Sequence, residues 1–171
     1  LVLIVLGLII CLKAQAADVD LERIVVTPSR YSESIDGTTS TVTAFGGSDL
    51  EEGKIQGESI KDLIIDAPAL DIVQAGSFGG PVSVFSRGTN SGQTQIMIDN
   101  VRVYDPIATN GAFNLAHLTL NNLERIEVVN GPQSVLYGSD AMGGVINILT
   151  KKGVGKPRIS FLSSGGTYNS F

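Results

Sequence analysis

The sequence predicts an α+β fold, a small mixed β-sheet carrying short helices. Three observations carry that expectation. Short apolar runs bounded by Gly, Pro, Asn and Asp recur along the chain, which is the punctuation of strands and turns. The stretches that read as helical are all brief. Twenty glycines and an aromatic content of 6% fit a strand-rich domain with many loops better than a helix bundle. The strands are too irregularly interleaved with helices and long loops for a doubly wound sheet.

The first element is not part of that domain. Leu1 to Leu12 is almost wholly apolar, and as a helix it would span ~18 Å, short of a bilayer core of ~30 Å. Lys13 and the small-x-small triplet Ala14-Gln15-Ala16 follow. Residues 1–16 therefore read as the apolar region and cleavage site of a secretory signal peptide. No Met starts it and no basic segment precedes it, so the expectation is a signal clipped at its front. Cys11 is the only cysteine; bulky Ile9 and Ile10 before it argue against a lipidated cysteine. Cleavage after Ala16 leaves no thiol for a disulfide or a metal site.

Residues 17–34 read as an N-terminal arm. Within it Ile24-Val25-Val26-Thr27 is β-prone and is stopped by Pro28; on residues alone it is an edge strand. The domain proper is expected over 35–150. Ser40 to Phe45 alternates as a strand. Ser48-Asp49-Leu50-Glu51 fits a capping box, with Ser48 capping and Glu51 reaching back. A helix from about Glu58 to Asp66 places Ile60, Leu63 and Ile64 on one face, and Pro68 stops it. Leu70 to Val73 is a strand, Gln74 to Pro81 a glycine-rich loop, and Val82 to Arg87 an extended run ending at Gly88. Asp99-Asn100 between two apolar runs suits a type I′ hairpin turn. Asp105 to Asn114 is a polar loop leading to a short helix around Leu118 to Leu123. Lys151 to Pro157 is a linker, and residues 158–171 begin another β segment.

Composition excludes several functions. The net charge of −5, with no basic cluster, argues against nucleic acid or anionic lipid as partner. The only histidine, His117, lies among leucines and reads as structural. No Cys/His cluster or calcium-loop spacing suggests a metal. Gly138 to Gly144 lacks the lysine and the long helix of a phosphate loop. No cofactor and no catalytic set are expected, so the chain does not read as an enzyme. Arg87, Asp99, Arg125 and Glu127 are charges set in apolar runs; taken singly, each fits an exposed position on an alternating strand.

The most specific stretch is Asn122 to Thr150. Arg125-Ile126-Glu127-Val128 runs into Gly131-Pro132; a one-turn helix spans Ser134 to Tyr137; Gly138 and Gly143-Gly144 precede a strand from Val145 to Leu149. This order of Arg-Ile-Glu-Val, Gly-Pro, Tyr-Gly-x-x-Ala-x-Gly-Gly-Val-Ile-Asn-Ile closely resembles the end of the plug domain of TonB-dependent outer-membrane transporters.

That resemblance implies the plug fold for 35–150 and, at 158–171, the first strand of a transmembrane barrel of about 22 strands, truncated here. It implies an outer-membrane location, with the plug inside the barrel lumen. Glu22, Arg23, Ile24, Val25, Val26, Thr27, Pro28 and Ser29 are similar to the Ton box of cobalamin-transporting members, the segment offered to the periplasmic partner TonB. Ser83 to Asn90 (Ser-Val-Phe-Ser-Arg-Gly-Thr-Asn) resembles the stretch in which those members touch ligand, implying Ser83 and Asn90 as ligand contacts; turn capping is the other reading of both. The loop at Ala108 and Thr109 is the next candidate. Arg87 and Arg125 are implied to dock plug to barrel, while Asn130 replaces a customary basic residue before Gly-Pro. The implied cargo is a scarce, bulky nutrient such as cobalamin, with an iron–siderophore or haem as the alternative. A free-standing periplasmic or secreted interaction domain is the reading of a different class.

Overall fold

The computed structural model describes residues 40–77 and 79–153, together with the backbone of Ile24–Val25 and Glu33–Ser34. The expected signal peptide, most of the Ton box, the later part of the linker and the first barrel strand lie outside the described residues.

Two short strands, β1 (Ile24–Val25) and β2 (Glu33–Ser34), pair antiparallel with each other. The domain then runs through β3 (Thr41–Gly46), α1 (Ser48–Gln56), α2 (Ile60–Ile64), β4 (Leu70–Gln74), β5 (Val82–Ser86), β6 (Thr94–Ile98), β7 (Val101–Val103), β8 (Leu123–Asn130), α3 (Ser134–Tyr137) and β9 (Gly144–Thr150). The main sheet has five strands in the order β3-β8-β9-β6-β7. Only β6 and β9 run parallel; the other neighbours are antiparallel. This is the mixed sheet the sequence predicts. A separate β4–β5 hairpin stands beside it.

Alternation along the central strands divides the core into two faces. Ile126 and Val128 of β8, Ile146 and Ile148 of β9 and Ile96 of β6 pack with Leu50, Ile60, Ile64, Val82 and Val84. α1, α2 and the β4–β5 hairpin cover that face. On the other face, Met97 and Val145 pack with Ala141 and Tyr137 from the segment between β8 and β9. Central strands buried on both sides read as continuous apolar runs, hence Ile-Glu-Val-Val and Val-Ile-Asn-Ile-Leu.

Glycine is required where β9 starts. Gly144 has φ 152°, and a Cβ there would stand 2.4 Å from the Val129 carbonyl oxygen. Any side chain would push β9 off β8.

Two helix readings are corrected. Ser48 does not cap α1; the N-cap is Gly47, and no side chain caps the helix. Instead Asp49 Oδ2 accepts from the Gly46 N–H at 3.1 Å, and Glu51 binds Lys54 at 2.8 Å. The true capping box belongs to α2, where Ser59 caps and Asp62 reaches back. The helix expected at Leu118 to Leu123 is instead a single 3-10 turn, Leu115–His117, capped by Asn114. Asn114 Oδ1 accepts both from Ala116 N and from Val82 N, the latter 32 residues away. That distant bond pulls the turn toward β5, and Leu123 already starts β8.

Candidate functional site

Three connections meet at the end of the sheet where β6 and β9 start and β8 finishes: residues 87–93, 104–114 and 131–143. Register fixes this, because Thr94 is opposite Gly144 and Gly144 is opposite Asn130.

The first connection is a tight, internally bonded loop. Arg87 turns the chain out of β5 at φ 51°, and its N–H donates to the Ala69 carbonyl at 3.0 Å. Thr89 Oγ1 donates to the Ser86 carbonyl at 2.7 Å. Asn90 Oδ1 accepts from Gly92 N at 3.3 Å, and Asn90 N donates to Gln93 Oε1 at 3.0 Å, capping a 3-10 turn over Ser91–Gln93. The loop is bolted to the start of β9 by Gly143 N donating to the Gln93 carbonyl and by the buried Ser86 Oγ donating to the Gly143 carbonyl, both at 2.8 Å.

The second connection closes on itself and then on the first. Gly111 N donates to Ala108 O at 2.9 Å, and Asp105 Oδ1 accepts from Ile107 N at 2.9 Å. Asn110 Nδ2 donates to Asn90 Oδ1 at 3.2 Å and to Ser91 Oγ at 2.8 Å. A Cβ on Gly92 would stand 2.4 Å from the Asn110 carbonyl oxygen, so the approach is backbone to backbone. Asn90 thus shares one apex with the segment holding Ala108 and Thr109. Asn110 and Gly92 join the two loops and went unnoticed in the sequence; Asn110-Gly111 shows there only as a turn signal.

The other candidates are placed elsewhere. Ser83 pairs with Val73 within the β4–β5 hairpin, and Asn90 lies beyond the far end of β5. Arg87 is exposed, with Nη1 3.7 Å from where a Gly131 Cβ would stand. Arg125 sits toward the opposite end of the sheet, opposite Gly46 and Leu149; six strand residues put it ~20 Å from Gly131. Its Nε donates to Glu127 Oε1 at 2.7 Å and its Nη1 to Glu124 Oε1 at 3.0 Å. Glu127 is wholly buried, so among the charges set in apolar runs it is not an exposed strand position. Of the Ton box, Ile24 and Val25 fall in β1; the rest lies outside the described residues.

Asn90, Ser91, Thr109 and Asn110 offer amides, hydroxyls and backbone at the apex, while Arg87, Asp105 and Asp140 place charges on the same three connections. Arg102, near the apex, forms an ion pair with Asp140 and lies 5.5 Å from the Tyr104 ring. Among the described residues no group of His, Cys, Asp and Glu could hold a metal ion, and no helix is long and apolar enough to cross a membrane. Such an apex can orient a polar ligand by hydrogen bonds.

Comparison with known proteins agrees with this architecture. Residues 34–145 match the family model of the TonB-dependent receptor plug domain. The chain is 34% identical over 129 residues to the vitamin B12 transporter BtuB of Vibrio vulnificus (strain CMCP6), covering 75% of this chain and 20% of that protein. Among solved structures it is similar to the ferripyoverdine receptor of the outer membrane of Pseudomonas aeruginosa, at TM-score 0.61 and 17% identity over 75% of this chain and 16% of that one. It is also similar to the ferric enterobactin receptor PfeA of Pseudomonas aeruginosa, at TM-score 0.51 and 24% identity over 69% of this chain and 18% of that one. The chain therefore spans about a fifth of the length of the curated relative and less of the solved ones. These relatives are receptors and transporters, not enzymes. The chain belongs to the TonB-dependent receptor plug domain family.

Proposed function

We propose that this plug gates an outer-membrane receptor taking up a scarce, bulky nutrient, with cobalamin as cargo. The observation that carries the cargo is the 34% identity to a vitamin B12 transporter. The amide and hydroxyl groups of Asn90, Ser91, Thr109 and Asn110 support it, because a large polar ligand needs orienting hydrogen bonds more than charge. The ferripyoverdine and ferric enterobactin receptors resemble the chain at 17% and 24% identity, a likeness of fold that leaves a ferric siderophore as the competing cargo.

In this reading ligand settles on Asn90, Ala108 and Thr109, with Ser83 contributing from the hairpin. The segment Glu22 to Ser29 is offered to TonB, which adds it as a strand through backbone N–H and C=O groups. Support comes from β1, where Ile24 and Val25 already take a strand partner. Arg87 and Arg125 dock the plug to the barrel. Arg87 suits this, having no ion pair among the described residues; Arg125 would share its guanidinium with Glu124 and Glu127.

The test is equilibrium binding of vitamin B12 and of ferric enterobactin to the full-length protein, with uptake measured in energised cells. Tight binding of vitamin B12 alone is expected. Binding of the siderophore alone overturns the cargo. Val25→Pro is expected to abolish uptake with binding unchanged; uptake at the wild-type rate removes the Ton box assignment.

A further inference from the structure

Ser40 and Gln133 are 93 residues apart in the chain and are joined by one bond, Gln133 Nε2 donating to Ser40 Oγ at 3.0 Å. The N-terminal arm enters the sheet through Ser40, the residue before β3. Thr41 is opposite Asn130, so Ser40 stands just past the β3–β8 ladder, level with the Gly131-Pro132 turn.

The two ends of this bond are held very differently. Gln133 N donates to the Ala141 carbonyl at 2.8 Å, and the Gln133 carbonyl accepts from Leu136 N and Tyr137 N at 3.1 and 3.0 Å. Gly131 N donates to the Gly143 carbonyl at 3.1 Å, and Gly143 N to the Gln93 carbonyl at 2.8 Å. These bonds fix the segment to the start of β9 and to the loop before β6, so the Gln133 side chain extends from a clamped backbone. β3 is the reverse. It is an edge strand paired only with β8. None of its six residues is fully buried, whereas β8 and β9 are buried along most of their length. A strand with one neighbour and little buried apolar surface opens more readily than the sheet behind it.

We infer that the Ser40–Gln133 bond is a latch: it ties the root of the arm to the clamped 131–143 segment and sets how readily β3 leaves the sheet. A load on the arm meets this bond before it meets the β3–β8 ladder. The part of the latch in uptake rests on the proposal that the arm is the segment TonB takes up; its hold on β3 does not.

Amide exchange and single-molecule pulling on the full-length protein test the latch. Gln133→Met keeps the length of the side chain and removes the donor; Ser40→Ala removes the acceptor. Exchange over residues 41–46 should quicken about fivefold in Gln133→Met, the usual worth of one neutral hydrogen bond, with β6 and β7 unchanged. The double variant should exchange no faster than the faster single one, because either change breaks the same bond. Unchanged exchange in Gln133→Met, effects that add in the double variant, or a quickening shared equally by β3, β6 and β7 overturns the latch. Pulled from its N-terminus in a lipid bilayer, Gln133→Met should give its first unfolding step at a lower force than wild type. Equal forces mean that the load bypasses Ser40, and the latch is lost. Neither measurement uses vitamin B12 or TonB, so a failed Ton box assignment in the Val25→Pro test leaves both readouts able to decide the latch.

Discussion

Asn147 and Asn100 bond to each other twice: Asn147 Nδ2 donates to Asn100 Oδ1 at 2.9 Å, and Asn147 Oδ1 accepts from the Asn100 N–H at 3.2 Å. Asn147 is fully buried in β9, and Asn100 sits on the exposed β6–β7 turn. Beside them Asp99 accepts from Thr150 N and Oγ1, both at 2.8 Å. Two consecutive turn residues, both at positive φ, are thereby clasped to the end of a strand in parallel register with β6.

This clasp makes the turn depend on β9. Asn147→Leu keeps the volume but leaves the Asn100 amide without its partner, which costs about 2 kcal/mol. Asn100→Gly keeps the positive φ and the Asn100 N–H bond, losing only the Oδ1 acceptor, for about 1 kcal/mol. Amide exchange over residues 96–103 of the full-length protein should quicken in both, more in Asn147→Leu. Equal protection in the three proteins would show that the clasp contributes nothing.

Arg125 and Glu127 form the second polar device in the sheet. Glu127 has no side-chain exposure, and Arg125 keeps 24%. Arg125→Met withdraws a cationic partner from a buried carboxylate. The expected loss is about 2–3 kcal/mol, below that of a fully buried pair because Arg125 is partly hydrated. Adding Glu127→Leu should return part of that loss, since the charge left behind is removed as well. Local stability from exchange of the β8 amides gives the cycle. Additive losses would mean the two side chains act independently.

Acid should loosen α2 before the sheet. Burial raises the Asp62 carboxyl, but hydrogen bonds from the Lys61 ammonium and from Ser59 outweigh it and hold the pKa below its ordinary 3.8. Ser59 N and Oγ donate to Asp62 Oδ2 at 2.9 and 2.7 Å. A depressed carboxylate pKa contributes stability that is present above the unfolded value and lost as pH falls through the folded one. Exchange protection of Ile60–Ile64 should therefore decline below about pH 4. Asp62→Asn should start less protected at neutral pH and show a flatter acid dependence. The same acid dependence in both proteins would place the titration elsewhere.

What the sequence makes legible follows from how local each cause is. Both Asp99 and Asn100 take positive φ because the chain must reverse in two residues, and those residue types announce it. Gly131-Pro132, Gly138 and Gly143-Gly144 mark the ends of β8 and β9 for the same local reason. The misread turn at Leu115–His117 depends on Asn114 reaching Val82, a bond no window of sequence contains. The link between Asn90 and Asn110 spans 20 residues. The apex could therefore be guessed as two loops but not as one surface. Arg87 and Arg125 look equivalent in the sequence, yet only Arg125 finds carboxylates within the described residues.

Asn90 is where shape and contact must be separated. Its Oδ1 already serves Gly92 N and Asn110 Nδ2, so its first role is to hold the two loops as one apex. Asn90→Asp keeps that acceptor, whereas Asn90→Ala removes the cap and the bridge to Asn110, a loss of about 1 kcal/mol by the usual value of a cap. On the cargo proposed above, if loop shape governs binding, Asn90→Ala should raise the Kd for vitamin B12 about fivefold to tenfold, and Asn90→Asp should stay near wild type. If Asn90 instead donates its amide to the ligand, both variants lose that donor and weaken together. Titration of the three full-length proteins with vitamin B12 decides between the roles, and the internal bonds to Gly92 and Asn110 favour the first.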